Sequence, residues 1–205
     1  MIFGSCNFNR NYNGSFLEKK EVFKCLEYFE NNGGEIIDAA LNYGDAQKII
    51  AEYGWSKKVI TKIWKQEDLI KCFEELKTDH IYCVMVRDAR NTDLLNYVKE
   101  YQKKGLIEKV GISIYYPYCE LRQDVNALHV PCNYDVLSMI DTMLLHADVY
   151  IRSFYNLWIK TLNGNIRDIQ NIKEHSRTDL LHMVDFVIGV DNLEQLKEDM
   201  ELFHG

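Results

Sequence analysis

The chain has 205 residues, 47% of them hydrophobic, which suffices for one domain spanning residues 1–205 with a sizeable core. A formal charge of −7, with no concentrated run of Lys or Arg, argues against nucleic acid or an anionic membrane surface as a general partner. Six cysteines (Cys6, Cys25, Cys72, Cys83, Cys119 and Cys132) show no Cys-x-x-Cys spacing and no paired His ligands, so neither a metal site nor a disulfide framework is signalled. No window approaches the length of a membrane span and no basic segment precedes a long apolar stretch at the N-terminus, so a cytoplasmic protein with reduced thiols is expected.

Short apolar runs alternate with helical patterns along the whole chain. Met1 to Phe8 reads as a first strand and Asn9 to Ser15 as a polar loop. From Leu17 to Asn31 the pattern is helical, with Val22, Leu26 and Phe29 on one face, and Asn32-Gly33-Gly34 supplies the stop. Glu35 to Ala39 is the second strand; its helix runs from Asp45, as N-cap, to Tyr53. Val59 to Ile63 and Ile81 to Val86 are the third and fourth strands, with a short helix from Glu67 to Leu76 between them. The fourth is almost wholly apolar and delivers Arg87-Asp88-Ala89-Arg90 where it surfaces. A helix from Thr92 to Lys104 ends at Gly105, and Val110 to Ile114 is the fifth strand. An aromatic turn, Tyr115-Tyr116-Pro117-Tyr118, leads to a brief helix from Cys119 to Asn126. Ala127 to Cys132 is the sixth strand, with Pro131 suited to its end. A helical segment around Leu137 to Ala147, a seventh strand from Val149 to Phe154, a helix within Ile166 to Met183 and an eighth strand from Asp185 to Val190 follow. Asn192 to Phe203 closes the chain as an amphipathic helix with Leu193, Leu196 and Met200 on one face.

Eight strand signals, each followed by a helical one, predict an α/β fold of the (β/α)8 TIM barrel type with short loops. The competitor is an open doubly wound sheet, and no Gly-x-Gly-x-x-Gly follows any strand to mark it. Barrel active sites lie at the C-terminal ends of the strands. Asp38, Tyr43, Lys62 and Arg87 fall at the ends of strands two, three and four, so adjacent strands would aim them at one mouth. An Asp after two β-branched residues is half buried and needs a cation or hydrogen-bond donors. The bland alternative makes Asp38 a turn cap and Tyr43 an amphipathic rim residue.

The sequence resembles the aldo-keto reductase family. The resemblance is carried by Ile-Ile-Asp-Ala-Ala-Leu-Asn-Tyr-Gly (36–44), Val-Ile-Thr-Lys (59–62), Lys-Lys-Gly-Leu-Ile-Glu-Lys-Val-Gly-Ile-Ser (103–113), Pro-Cys-Asn-Tyr (131–134) and Val-Ile-Gly-Val-Asp-Asn-Leu-Glu-Gln-Leu (187–196), in family order and across nearly the whole chain. It implies reduction of a carbonyl on a small polar or sugar-like substrate with NADPH, or NADH, as cofactor. Tyr43 would be the proton donor, Lys62 would lower its pKa and Asp38 would pair with Lys62. A free phenol titrates near 10, so a nearby cation is what makes a tyrosine useful at neutral pH. Ser113 and Asn133 match positions that hold the nicotinamide amide, and His129 stands where the family has a glutamine touching the same group; a histidine there either replaces part of that contact or is a core residue with one satisfied nitrogen. Asn192 opens the last helix, whose N-terminus could receive phosphate.

Two features depart from the family. Arg87 stands where the family has a catalytic histidine; a guanidinium can still polarise an oxygen, but it is always charged. The chain is also shorter than is usual, mostly in loops of its later half, where Lys160 and Arg167 are the nearest cations to a cofactor phosphate. A second reading is therefore a barrel without turnover that serves binding or assembly through the same mouth, and a third makes Arg87 part of a structural ion network with Asp88 or Asp38. Trp158 and Phe154, if exposed, would suit a homo-oligomer contact.

Overall fold

The computed structural model describes residues 1–12, 14–114, 124–131, 143–144, 147–152 and 184–204. Among them, eight parallel strands close into a barrel in sequence order. They are β1 (Ile2–Gly4), β2 (Ile36–Asp38), β3 (Lys58–Ile63), β4 (Ile81–Val86), β5 (Ile107–Ser113), β6 (Ala127–Pro131), β7 (Asp148–Arg152) and β8 (Asp185–Ile188). Five described helices accompany them: α1 (Lys19–Asn31), α2 (Ala46–Tyr53), α3 (Gln66–Leu76), α4 (Thr92–Lys103) and α5 (Leu193–His204). The (β/α)8 expectation is thus met, and β1 pairs β8 through Ile2 with Val187 and Phe3 with Ile188 to complete the ring.

Most boundaries sit within a residue or two of the sequence reading; the differences have local causes. β1 stops at Gly4 because Ser5 turns out of the ladder, its N–H and hydroxyl both donating to the Asp38 carbonyl at 3.0 and 2.8 Å. β5 begins earlier than expected, at Ile107, since the register with β4 continues down to Ile81. Asp124 to Asn126 is irregular rather than helical, and Asn126 instead receives the Asp148 N–H on its carbonyl at 3.0 Å. The aromatic turn at 115–118 and the helix read within 166–183 lie outside the described residues.

Helix formation follows apolar spacing and end chemistry. Val22, Cys25, Leu26 and Phe29 form the buried stripe of α1, and Gly33 just beyond it adopts a φ of 83° that suits glycine. In α4 the Asn91 side chain accepts the Leu94 N–H at 3.0 Å, satisfying one donor that a helix start leaves unpaired. Asp45 stands at the N-cap of α2 as expected, although its side chain makes no cap hydrogen bond.

Alternation along the strands sorts side chains into two layers. Phe3, Ile37, Ile63, Val84, Val86, Val110, Ile112, Leu128, Val130, Val149, Ile151 and Phe186 face outward and merge with the helices in one core. Inside the barrel, Ile2, Ile60, Cys83, Met85, Ala127, Tyr150 and Val187 form a second, smaller core. Burial of each large apolar side chain contributes on the order of 1.5–3 kcal/mol, so both layers are substantial. The interior is tight at Gly111: a Cβ there would stand 2.4 Å from Met85 Sδ and 2.6 Å from the Ala127 carbonyl oxygen. At the N-terminal end, Lys109 donates to the Tyr82 hydroxyl at 2.9 Å and pairs with Asp148, while the Tyr82 and Tyr150 hydroxyls lie 3.3 Å apart. That polar plug closes the end opposite the mouth.

Candidate active site at the barrel mouth

The same alternation dictates what the mouth contains. Ile36 and Asp38, Ile60 and Lys62, Gly111 and Ser113, Ala127 and His129, Tyr150 and Arg152 are each two residues apart, so the second of each pair continues the inward face one layer higher. An inward position near a strand's C-terminus is therefore polar in five strands. Arg87 continues the series of Cys83 and Met85 just past β4, its N–H held by the Ile63 carbonyl at 3.1 Å.

Lys62 is the centre of this layer. Its side chain is wholly buried, and its Nζ donates to Asp38 Oδ1 at 2.5 Å and to the Ala39 carbonyl at 3.0 Å. The same ammonium stands 4.9 Å from the centroid of the Tyr43 ring, within cation–π range. Burial disfavours both charges of the pair, pushing Asp38 up and Lys62 down, and each partner's field opposes the shift of the other. Arg152 and Arg87 act on both, in favour of the Asp38 carboxylate and against the Lys62 ammonium.

Tyr43 sits on the β2–α2 loop, half buried, and no described residue hydrogen-bonds its hydroxyl. The resemblance implies a phenol whose pKa Lys62 lowers. In the structure burial pushes the phenol well above its ordinary value, the Asp38 carboxylate and the Cys6 thiol push the same way, and Arg87 is the cation that counters them. Lys62 faces the ring and makes no hydrogen bond to the hydroxyl. Tyr43 is thus kept protonated, the state a proton donor needs.

Arg87 Nη1 donates to Ser113 Oγ at 2.9 Å, and its guanidinium lies 5.1 Å from the centroid of the half-exposed Trp64 ring. Asp88 pairs with Arg90. Ser113 and His129 are register partners across β5 and β6, which puts Ser113 Oγ 3.2 Å from His129 Nδ1. His129 is fully buried; among the described residues its Nε2 has no hydrogen-bond partner, and it lies 3.9 Å from Asp38 Oδ1. Burial, then Lys62, Arg152 and Arg87, hold its pKa well below the ordinary 6.5, so the ring is neutral.

The remaining expected positions are scattered. Asn192 is exposed at the start of α5, where its Oδ1 accepts the Gln195 N–H at 2.9 Å and Gln195 Oε1 accepts the Asp191 N–H at 2.7 Å. It therefore serves first as the cap of its own helix. Asn133, Lys160, Arg167, Phe154 and Trp158 lie outside the described residues. One mouth residue escaped the sequence reading. Arg152, at the end of β7, donates from Nη2 to the Ile114 carbonyl at 2.8 Å, tying β7 to the end of β5. The signal was present, since Arg152 follows Tyr150 by two residues in a strand whose apolar run breaks there.

No protein-family model matches the chain, and no curated protein sequence matches it. Solved structures do resemble it. A Pseudomonas aeruginosa protein assigned by inference to the aldo-keto reductases is 16% identical and superposes with a TM-score of 0.78 over 98% of this chain and 88% of its own. An aldo-keto reductase of Bacillus halodurans in its holo form gives 0.77 at 13% identity, over 100% and 86%. An aldo-keto reductase of Klebsiella pneumoniae in complex with NADPH gives 0.73 at 12% identity, over 100% and 85%. At such identities the likeness is one of fold, and it extends over nearly the full length of both partners in each comparison. With eight parallel strands closed in sequence order and Asp38, Lys62, Ser113, His129 and Arg152 gathered at one mouth, the chain has the barrel fold of the aldo-keto reductases.

Proposed function

We propose that residues 1–205 form one barrel domain that catalyses NAD(P)H-dependent reduction of a carbonyl on a small polar or sugar-like substrate, in the cytoplasm. The observation that carries this reading is Lys62, a buried cation bound to Asp38 at 2.5 Å and lying 4.9 Å from the Tyr43 ring centroid. A buried ion pair is an expensive way to hold a barrel together, since apolar residues of similar volume do so at least as well. Its position beside a protonated phenol at the mouth gives it a chemical use.

Tyr43 donates the proton or hydrogen bond to the oxygen on which negative charge develops. Lys62 and Arg87 bring positive potential to that oxygen, and Asp38 keeps Lys62 charged. A nicotinamide held beside Ser113 would supply the hydride; NADPH is the proposed form, with NADH next. The Ser113 hydroxyl accepts from Arg87 and has one further lone pair for an amide N–H, so it fits a nicotinamide carboxamide. Complexes of structurally similar reductases with NADPH and NADP lend this support. Asn133 is proposed beside Ser113, and Asn192 near the phosphates through its helix N-terminus.

Titrating NADPH and NADH while following nicotinamide fluorescence tests the proposal. Saturable binding is expected. Absence of binding by either at about millimolar concentration, a range far weaker than the micromolar affinities typical of such sites, overturns it. The Arg87–Ser113 hydrogen bond favours one second reading, a barrel without turnover used for binding, because it occupies the position where a neutral donor is expected. That reading predicts cofactor or carbonyl binding with no reduction across a carbonyl panel.

A further inference from the structure

His129 has one ring nitrogen engaged and the other buried without a hydrogen-bond partner among the described residues, and the chemistry of its neighbours favours one placement of the proton. A guanidinium only donates, so in the Arg87–Ser113 hydrogen bond the Ser113 oxygen is the acceptor. The Ser113 hydrogen is then free to point at His129 Nδ1, 3.2 Å away. A neutral imidazole that accepts at Nδ1 carries its proton on Nε2. That Nε2–H is wholly buried, has no hydrogen-bond partner among the described residues, and lies 3.9 Å from Asp38 Oδ1, the same oxygen that accepts Lys62. The separation exceeds a hydrogen bond, so the interaction is that of an N–H dipole facing a carboxylate in a water-poor interior.

We propose that Arg87, Ser113 and His129 form an oriented relay ending at Asp38, in which His129 is a positioning residue that favours the Asp38 carboxylate and so keeps Lys62 charged beside Tyr43. This deepens the reductase reading and rests on it for its use in catalysis. It also reassigns His129, whose ring lies between Ser113 and Asp38, from cofactor contact to support of the catalytic charges. The relay explains why an arginine tolerates the end of β4: the guanidinium starts a one-way chain of donors that a second acceptor there could not start. Arg87 acts on Asp38 twice, directly by its charge and through Ser113 and His129.

The groups facing Asp38 are Lys62 from β3, Arg87 after β4, His129 from β6, Arg152 from β7, Cys6 after β1, Cys83 from β4 and Tyr43 from the following loop. Of these, His129 is the neutral donor whose direction depends on a hydroxyl neighbour, which makes its contribution separable. Replacing His129 by Gln retains an N–H able to reach the Nε2 position, whereas His129→Leu removes it.

The test is heteronuclear NMR on the full chain, with or without turnover. In the native protein, long-range 1H–15N spectra should show His129 as the neutral Nε2–H tautomer down to about pH 5, well below the free imidazole value. The Asp38 carboxyl 13C titration should move up by about one pH unit, a tenfold change in protonation, in His129→Leu, and stay near native in His129→Gln. If the barrel is a reductase, the acid limb of kcat should move by the same amount in the same variant. An Nδ1–H tautomer in the native protein, or an Asp38 titration unchanged by His129→Leu, overturns the relay. If His129→Leu does not fold, the native tautomer together with its loss in Ser113→Ala decides the matter: an Nε2–H form that survives Ser113→Ala unaltered also overturns it. Failure of the reductase reading shows separately, as absent cofactor binding, and leaves the NMR result to stand.

Discussion

Lys62 meets Tyr43 across the face of its ring, with the ammonium 4.9 Å from the ring centroid, and does not reach it through the hydroxyl. A cation under a π-face stabilises ring placement and raises local positive potential without forming a hydrogen bond to the phenolate. In the proposed reduction, Lys62 and Tyr43 would therefore act on a developing alkoxide from different directions.

Tyr43→Phe tests the proton donor. The ring contact with Lys62 survives and no described partner loses a hydrogen bond, so stability should stay within about 0.5–1 kcal/mol of native in urea unfolding. Carbonyl reduction should fall by on the order of 10²–10⁴-fold while cofactor binding persists. Turnover at the native rate would remove Tyr43 from the chemistry.

Lys62→Met probes the buried pair. It leaves Asp38 without its closest cation, and the loss should be about 3–5 kcal/mol in chemical denaturation. Asp38→Asn combined with Lys62→Met removes both charges and should recover much of that loss, a coupling that a double-mutant cycle measures directly. Purely additive losses would mean the two side chains do not act as a unit.

His129 predicts an acid sensitivity with a definite sign. Its folded pKa is held well below the ordinary 6.5, so below about pH 6.5 the unfolded chain takes up a proton that the folded chain refuses. Its contribution to stability is therefore lost as pH falls from 6.5 toward the folded value, by up to about 1.4 kcal/mol per pH unit. Between about pH 7.5 and about pH 5 the native protein should therefore lose more unfolding free energy than His129→Gln, which carries no titrating group at that position. Parallel pH dependence in the two would show that His129 titrates normally.

Gly111→Ala addresses the barrel interior. The added methyl meets the Ala127 carbonyl oxygen at 2.6 Å, a backbone atom that cannot rotate away, as well as Met85 Sδ at 2.4 Å. We expect a loss of about 1–3 kcal/mol in thermal or chemical unfolding. Combining it with Met85→Ala should recover only part, because the carbonyl contact remains. Full recovery would place the whole cost on the flexible sulfur.

Much of the site was legible in the linear pattern, and the misses are instructive. Asp38, Lys62 and Arg87 could be read as strand-end residues because a charged group that terminates a buried apolar run has few other places to go. Arg152 ends the described part of β7 by the same rule, but a strand pattern that runs on to Phe154 masks the break in the apolar run. Asn192 was identified by its helix start, but whether such a residue caps its own helix or offers donors to a ligand depends on side-chain rotamers that no spacing encodes. The direction of the Tyr43 shift is also out of reach of the sequence, because it is set by competition between burial and four neighbouring groups from separate parts of the chain.

By itself the sequence determined the order of strands and helices, the faces they bury and the family pattern in which Asp38, Tyr43 and Lys62 occur, since these depend on local propensity and on periods of two and 3.6 residues. Closure of the barrel decided the rest. Pairing β5 with β6 set Ser113 beside His129, stacking the inward faces brought His129 to Asp38, and the depth of that layer kept Lys62 charged only in company. Those relationships join residues far apart in the chain, and their energies depend on distances and dielectric surroundings that exist only once the sheet has closed.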